Sequence, residues 1–192
     1  MGRIYYVMGK SASGKDTIYK RILESKQEFK TVVLYTTRPL REGEREGVEY
    51  HFTTPEALEV FKQSGKVIES RVYQTVCGPW IYATVDDGQI NLSESDYLII
   101  GTLESFEKVK RYFGSSRVVP IYVYVEDGVR LERAMARERL QATPNYKELC
   151  RRFLADDEDF SPERLKAAGI TAGYENLSVE SCLRKILADI GD

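Results

Sequence analysis

The chain has 192 residues, enough for one domain whose core needs no disulfide or metal staple. It is 42% hydrophobic and 30% charged with a formal net charge of -2, an ordinary balance for a soluble globular protein. That charge excludes a molecule that holds nucleic acid by its overall field, although basic stripes occur locally.

The N-terminal residues Arg3 to Met8 (RIYYVM) are aromatic and β-branched and predict a strand. With no apolar leader before them and no apolar run near the ~20 residues of a membrane span, neither a signal peptide nor a span is predicted, and a cytoplasmic location is expected. Gly9 to Gly14 is small and polar, a loop. Thr17 to Ser25 sets Ile18, Ile22 and Leu23 at helical spacing. Thr31 to Tyr35 (TVVLY) predicts a second strand. Arg38 to Glu49 is charged and punctuated by Gly43 and Gly47, and Pro55 to Ser64 predicts a helix with Ala57, Leu58 and Phe61 on one face.

Val67 to Val76 predicts a strand, Tyr97 to Ile100 a buried parallel strand, and Glu104 to Phe113 an amphipathic helix. Val118 to Val125 predicts another buried strand, with Pro120 suited to its early part or to an edge. Charged helices are expected over Gly128 to Ala142 and Tyr146 to Ala155, separated by Thr143-Pro144-Asn145. A short strand over Ile170 to Tyr174 and a helix over Val179 to Ile190 close the chain. Strands alternating with helices predict an α/β fold on a parallel sheet. Cys77, Cys150 and Cys182 are far apart, odd in number and free of metal-ligand spacing, so they predict reduced, incidental thiols.

Gly9-Lys10-Ser11-Ala12-Ser13-Gly14-Lys15 fits G-x-x-x-x-G-K between a strand and a helix. Backbone N–H groups that curl round a polyphosphate require glycines and small residues, and the helix N-terminus behind them adds positive potential. Lys15 supplies a mobile cation for the β- and γ-phosphates. The Ser or Thr that usually follows the lysine is Asp16. Its carboxylate is a candidate Mg²⁺ ligand, with the Thr17 hydroxyl as the alternative; as a plain first-turn residue it also suits the helix dipole. ATP-binding candidates are therefore Gly9, Ser11, Ala12, Ser13, Gly14, Lys15, Asp16 and Thr17.

Thr36-Thr37-Arg38-Pro39-Leu40-Arg41-Glu42-Gly43-Glu44 follows, then Gly47-Val48-Glu49-Tyr50-His51-Phe52. Two arginines held by proline and glycine turns make a fork for a phosphate dianion, and Tyr50 adds a hydroxyl. At this point the chain resembles the guanylate kinase family, which carries an N-terminal phosphate loop, T-T-R-x-x-R-x-G-E and G-x-x-Y-x-F. The resemblance implies a P-loop NTPase-type core (1–33, 85–131 and 160–192), an inserted acceptor-binding segment (34–84) and a helical lid (132–159). It implies ATP and a nucleoside monophosphate as ligands, with Mg²⁺. Arg38, Arg41 and Tyr50 would grip the acceptor phosphate, Glu44 would orient the arginines, and Glu69 would read guanine N1–H and N2–H₂. Tyr82 would reach the phosphate and Thr84 the base.

The chain departs from that pattern at two places. Leu34 stands where the family has a base-touching serine. Gly101-Thr102-Leu103 lacks the family's Asp-x-Asp, with Glu104 nearby in sequence. Phosphate grip is thus expected intact and base specificity altered. Arg130, Arg133, Arg137, Arg139, Arg151 and Arg152 surround the Thr143-Pro144 break, and the resemblance implies that lid arginines, with Arg137 and Arg152 nearest the family positions, stabilise the transferring phosphoryl group. Lys15, Arg38, Arg137 and Arg152 are the catalytic candidates. His51 carries no assigned chemistry, and Trp80 and the tyrosines other than Tyr50 and Tyr82 read as packing.

Two other functions remain open in the sequence. Ribose 1,5-bisphosphate phosphokinase is similar in fold and has a G-K-D loop. Guanylate-kinase-like scaffold modules bind phosphopeptides but typically lose the phosphate loop.

Overall fold

A computed structural model describes residues 2–41, 43–75 and 78–191. The predicted end of the strand at Val76 and the Cys77 thiol lie outside them.

The first strand, β1 (Ile4–Met8), is buried at every position, as its apolar run requires. It lies between β7 (Tyr97–Gly101) and β8 (Val118–Tyr124), both parallel to it. Two-residue strands β2 (Lys30–Thr31) and β9 (Tyr174–Glu175) complete a parallel sheet in the order β2-β7-β1-β8-β9. Alternation along β1 divides the core into two layers. Ile4, Tyr6 and Met8 face Phe106 and Val109 of α3 (Leu103–Phe113). Tyr5 and Val7 face Ile18 and Ile22 of α1 (Lys15–Ser25), together with Cys182, Ile186 and Ile190 of α7 (Val179–Gly191). Each fully buried aliphatic or aromatic side chain contributes roughly 1.5–3 kcal/mol. Pro120 is accommodated because β9 pairs only with Val123 and Tyr124, so no strand needs its missing N–H on that side.

A second sheet, ordered β4-β3-β6-β5, stands apart from the first. β5 (Val67–Thr75) and β6 (Gly78–Val85) form an antiparallel pair, with β3 (Tyr35–Thr36) antiparallel to β6 and β4 (His51–Phe52) parallel to β3. α2 (Pro55–Gln63) covers it, burying Leu58 against Ala83 and Val85. Thr54 caps α2 by accepting from Ala57 N, and Pro55 opens the helix where no N–H is needed.

Three expectations are corrected. The run Thr31 to Tyr35 is not one strand: Thr31 pairs in the parallel sheet and Tyr35 in the second, and the chain crosses between sheets at 32–34. Ile170 to Tyr174 yields strand only at its end, in β9. The helix predicted over Tyr146 to Ala155 continues as α5 (Tyr146–Asp159) through the acidic run, because the first two of those aspartates have cationic partners. A six-residue helix, α6 (Pro162–Ala167), follows it. Among the described residues no helix is long and apolar enough to cross a membrane.

Candidate active site

The phosphate loop leaves the end of β1 and turns into α1. Ala12 with φ 61° and Gly14 with φ 88° are left-handed, the alternation that curls successive N–H groups to one side. Gly9 lies against the Val123 carbonyl oxygen, where a Cβ would collide. Gly14 could carry no side chain either, because the Asn176 amide fills that space. Asn176 is 1% exposed and donates from Nδ2 to the Ser13 carbonyl at 2.8 Å, so the segment before α7 braces the loop from behind.

Lys15 and Asp16 open onto a cleft of about 450 Å³ between the two sheets. Lys15 Nζ lies 3.5 Å from Asp16 Oδ2, and the Asp16 side chain is 74% exposed. Tyr50 and Tyr82 line the same cleft, their rings 5.5 Å apart and edge to face. Thr17 is exposed at the next position, and Ser11 and Ser13 belong to the loop itself. A second recess of about 450 Å³, bordered by Lys10, Ser13, Asp127 and Arg130, opens on the other side of the loop.

The arginine fork is built locally. Thr37 N donates to the Ile81 carbonyl at 3.0 Å, and Ile81 N donates to Thr37 Oγ1 at 2.9 Å, pinning the loop to β6. Arg38, 4% exposed, donates from Nη1 and Nη2 to Glu44 at 2.7 and 2.6 Å. Glu44 also accepts from Arg41 N at 2.9 Å. The Arg38 guanidinium sits 4.9 Å from the Tyr50 ring centre and 5.3 Å from that of Phe52. Hydrogen bonding from Arg38 holds the Glu44 carboxyl down to about 2. Arg41 is exposed, with its guanidinium 6.0 Å from the Trp80 ring centre.

The candidates for reading the base fall differently. Glu69 and Thr84 are 3% and 1% exposed, and Thr84 Oγ1 donates to Glu69 Oε1 at 2.9 Å. Neither lines the cleft. Arg71 does, with Tyr73, Trp80, Leu34 and Thr102. Trp80 and Tyr73 thus face the cleft rather than the core. A side chain at Gly101 would run into the Tyr6 hydroxyl, which is 2.6 Å from Ser105 Oγ. Leu103 is buried, and Glu104 turns to Lys108 at 2.6 Å on the far side of Arg71. Arg71 was legible in principle, because residues two apart on a strand share a face and Glu69 was already singled out.

The arginines around the Thr143-Pro144 break do not act alike. Arg130, on α4 (Asp127–Arg139), is 1% exposed and pairs with Asp127, Asp156 and Asp157 at 2.9, 3.2 and 3.0 Å. Its guanidinium lies 3.8 Å from the Phe153 ring centre. Arg133 donates to the Asn176 carbonyl at 2.9 Å. Arg151 and Arg152 turn to Glu148 at 2.7 and 3.5 Å. Arg137 and Arg139 are exposed, and neither Arg137 nor Arg152 lines the cleft.

Two contacts join α5 to the phosphate loop. Asp156 Oδ2 accepts from the Ser11 backbone N–H at 2.8 Å, and Lys10 Nζ donates to Asp157 Oδ1 at 2.6 Å. A carboxylate therefore rests on one of the amides that a phosphate oxygen would use.

A guanylate kinase from Chromobacterium violaceum is 27% identical over 99% of this chain and 93% of its own length. One from Chlorobium luteolum is 40% identical over 38% of this chain and 37% of its own. The crystal structure of guanylate kinase from Anaplasma phagocytophilum superposes with a TM-score of 0.66 at 18% identity, covering 99% of this chain and 85% of that one, a likeness of fold. The guanylate kinase family model matches residues 1–147, and the chain belongs to that family.

Proposed function

We propose that the chain transfers the γ-phosphate of ATP to a nucleoside monophosphate, with GMP as the first acceptor to expect. The observation that carries this reading is a single cleft lined at one end by Lys15 and Asp16 and along its wall by Tyr50 and Tyr82, with the Arg38–Glu44 pair behind Tyr50. In the reaction an acceptor phosphate oxygen attacks the γ-phosphorus and the bond to the β-phosphate oxygen breaks, releasing ADP. That chemistry needs alignment and cationic stabilisation, and no side-chain nucleophile.

The phosphate-loop amides and Lys15 hold the donor phosphates. Arg38, Arg41, Tyr50 and Tyr82 hold the acceptor phosphate. Arg137, exposed on α4, and Arg152 on α5 are the lid cations available to close over the transferring group. Residues 1–33, 85–131 and 160–192 act as the core, 34–84 as the acceptor segment and 132–159 as the lid, in a cytoplasmic protein. Mg²⁺ suits the donor set: Asp16 offers an exposed carboxylate beside Lys15, and such an ion takes one or two carboxylates with the substrate phosphates completing its shell. When bound it would neutralise charge on the β- and γ-oxygens.

ADP release with ATP and Mg²⁺ against GMP, AMP, CMP, UMP and ribose 1,5-bisphosphate tests the reading, with Lys15→Ala as control. Lys15-dependent turnover on GMP is expected. Turnover on ribose 1,5-bisphosphate alone replaces the acceptor, and a folded protein inactive on all five overturns the kinase.

A further inference from the structure

Glu69 and Arg71 share one face of β5, and their contact decides what the cleft presents to an acceptor. The Glu69 side chain is 1% exposed. Its Oε1 accepts from Thr84 Oγ1 at 2.9 Å and from Arg71 Nη2 at 3.4 Å, while Oε2 is buried 3.2 Å from Arg71 Nε. That last contact is an ion pair without an aligned hydrogen bond. The carboxylate is therefore shut behind the guanidinium, and Arg71 is the member of the pair that reaches the cleft.

Charge in the cleft follows from this. Asp16, at the phosphate end, is the one carboxylate among the described lining residues. Leu34 presents hydrocarbon, and the place of a side chain at Gly101 is taken by the Tyr6 hydroxyl. The base end thus lacks the carboxylate that the resemblance implied for guanine N1–H and N2–H₂. It offers instead a planar fork of donors that cannot lose its charge. Guanine and hypoxanthine present two acceptors in matching geometry, O6 and N7. Adenine keeps N7 but turns an N6–H₂ donor toward the guanidinium.

We propose that Arg71 reads the O6/N7 edge of a 6-oxopurine monophosphate, with Glu69 as a positioning residue that holds the guanidinium. The site then discriminates at C6 of the purine and is indifferent at C2. This rests on the kinase reading above, and it changes which residue sets the acceptor and which neighbouring substrates are taken.

The test is kcat/KM for GMP, IMP and AMP on the wild-type protein and on Arg71→Ala, Arg71→Lys and Glu69→Gln. Wild-type protein should use GMP and IMP within about tenfold of each other and AMP at least ~100-fold less well. Arg71→Ala should lower GMP and IMP together by roughly 10- to 100-fold and leave AMP unchanged, and Arg71→Lys should restore only part, since an ammonium is not a fork. Glu69→Gln should raise KM for GMP and IMP in parallel. A carboxylate that touched N2–H₂ would instead cost GMP and spare IMP, and that result overturns the assignment. So does a wild-type preference for GMP over IMP of ~100-fold or more, which needs no variant to fold. If no monophosphate is turned over, the kinase reading fails on its own. Calorimetric binding of GMP and IMP then judges Arg71, equal affinities supporting it and a strong preference for GMP overturning it.

Discussion

At the Lys15 end of the cleft the groups on offer are backbone amides, a helix start and one lysine. At the Arg71 end they are side chains of β5 and β6 whose roles depend on their neighbours. The first kind of site is written in backbone conformation: Ala12 and Gly14 are left-handed and Asn176 braces the turn. The second kind depends on side-chain neighbours, since the Glu69 carboxylate lies 3.2 Å from the guanidinium of Arg71, which lines the cleft. A cleft can therefore keep its reaction while its selectivity moves.

Removing the lysine should give the largest effect and test the Lys15 end directly. Lys15→Ala is expected to lower kcat by roughly 10²–10³-fold or more in ADP release, with GMP binding by calorimetry little changed. If GMP binding falls equally, the two ends are not independent.

Arg38→Lys comes next. It replaces a bidentate pair buried against Tyr50 with a point charge. The acceptor KM should rise roughly 10- to 100-fold, the worth of a charge-assisted hydrogen bond, equally for GMP and IMP. A change in the GMP/IMP ratio would mean that the phosphate fork also selects the base.

Acid should separate the two regions as well. The Glu44 carboxyl titrates at about 2 in the folded protein against 4.5 unperturbed, so its pairing with Arg38 stabilises the fold fully above pH 4.5. That contribution is lost as pH falls from 4.5 toward 2. Trp80 fluorescence, which reports on the neighbouring Arg41, should follow this loss, and Glu44→Gln should flatten it. An unchanged acid profile in the variant would break the link.

The smallest expected effect lies in α5. Asp156→Ala frees the Ser11 amide, so ATP should bind roughly two- to tenfold more tightly, the net worth of one hydrogen bond. The ligand-free Tm should fall by a few degrees, about 2–4 °C per kcal/mol for a chain this long. Weaker ATP binding would show that Asp156 assists the loop.

Much of the core was legible because its signals are local. β1, the glycine loop and α1 follow from an apolar run, small residues and helical spacing, and β7 and β8 from continuous apolar stretches. The run at Thr31 to Tyr35 was misleading because hydrophobic pattern cannot say which sheet a residue joins. Thr31 and Tyr35 both pair, in different sheets. The extension of α5 depended on Arg130 and Lys10, which are distant in sequence. α6 carried a readable start in Ser161-Pro162, a favoured cap followed by proline in the first turn. The arginine fork was visible as a motif. The pairing of Glu69 with Arg71 was not, because it takes coordinates to see which of two neighbouring charges lines the cleft.

If the phosphate loop holds ATP as proposed, the contact between Asp156 and the Ser11 amide makes nucleotide capture a competition. With the carboxylate seated, only the unlatched fraction of molecules can receive ATP, so the apparent dissociation constant exceeds the intrinsic one by the reciprocal of that fraction. Moderate salt weakens the exposed parts of the latch, such as Lys10 with the half-exposed Asp157, before it screens a desolvated triphosphate. Apparent ATP affinity should then pass through a maximum with ionic strength instead of declining throughout, and that curvature should vanish in Asp156→Ala.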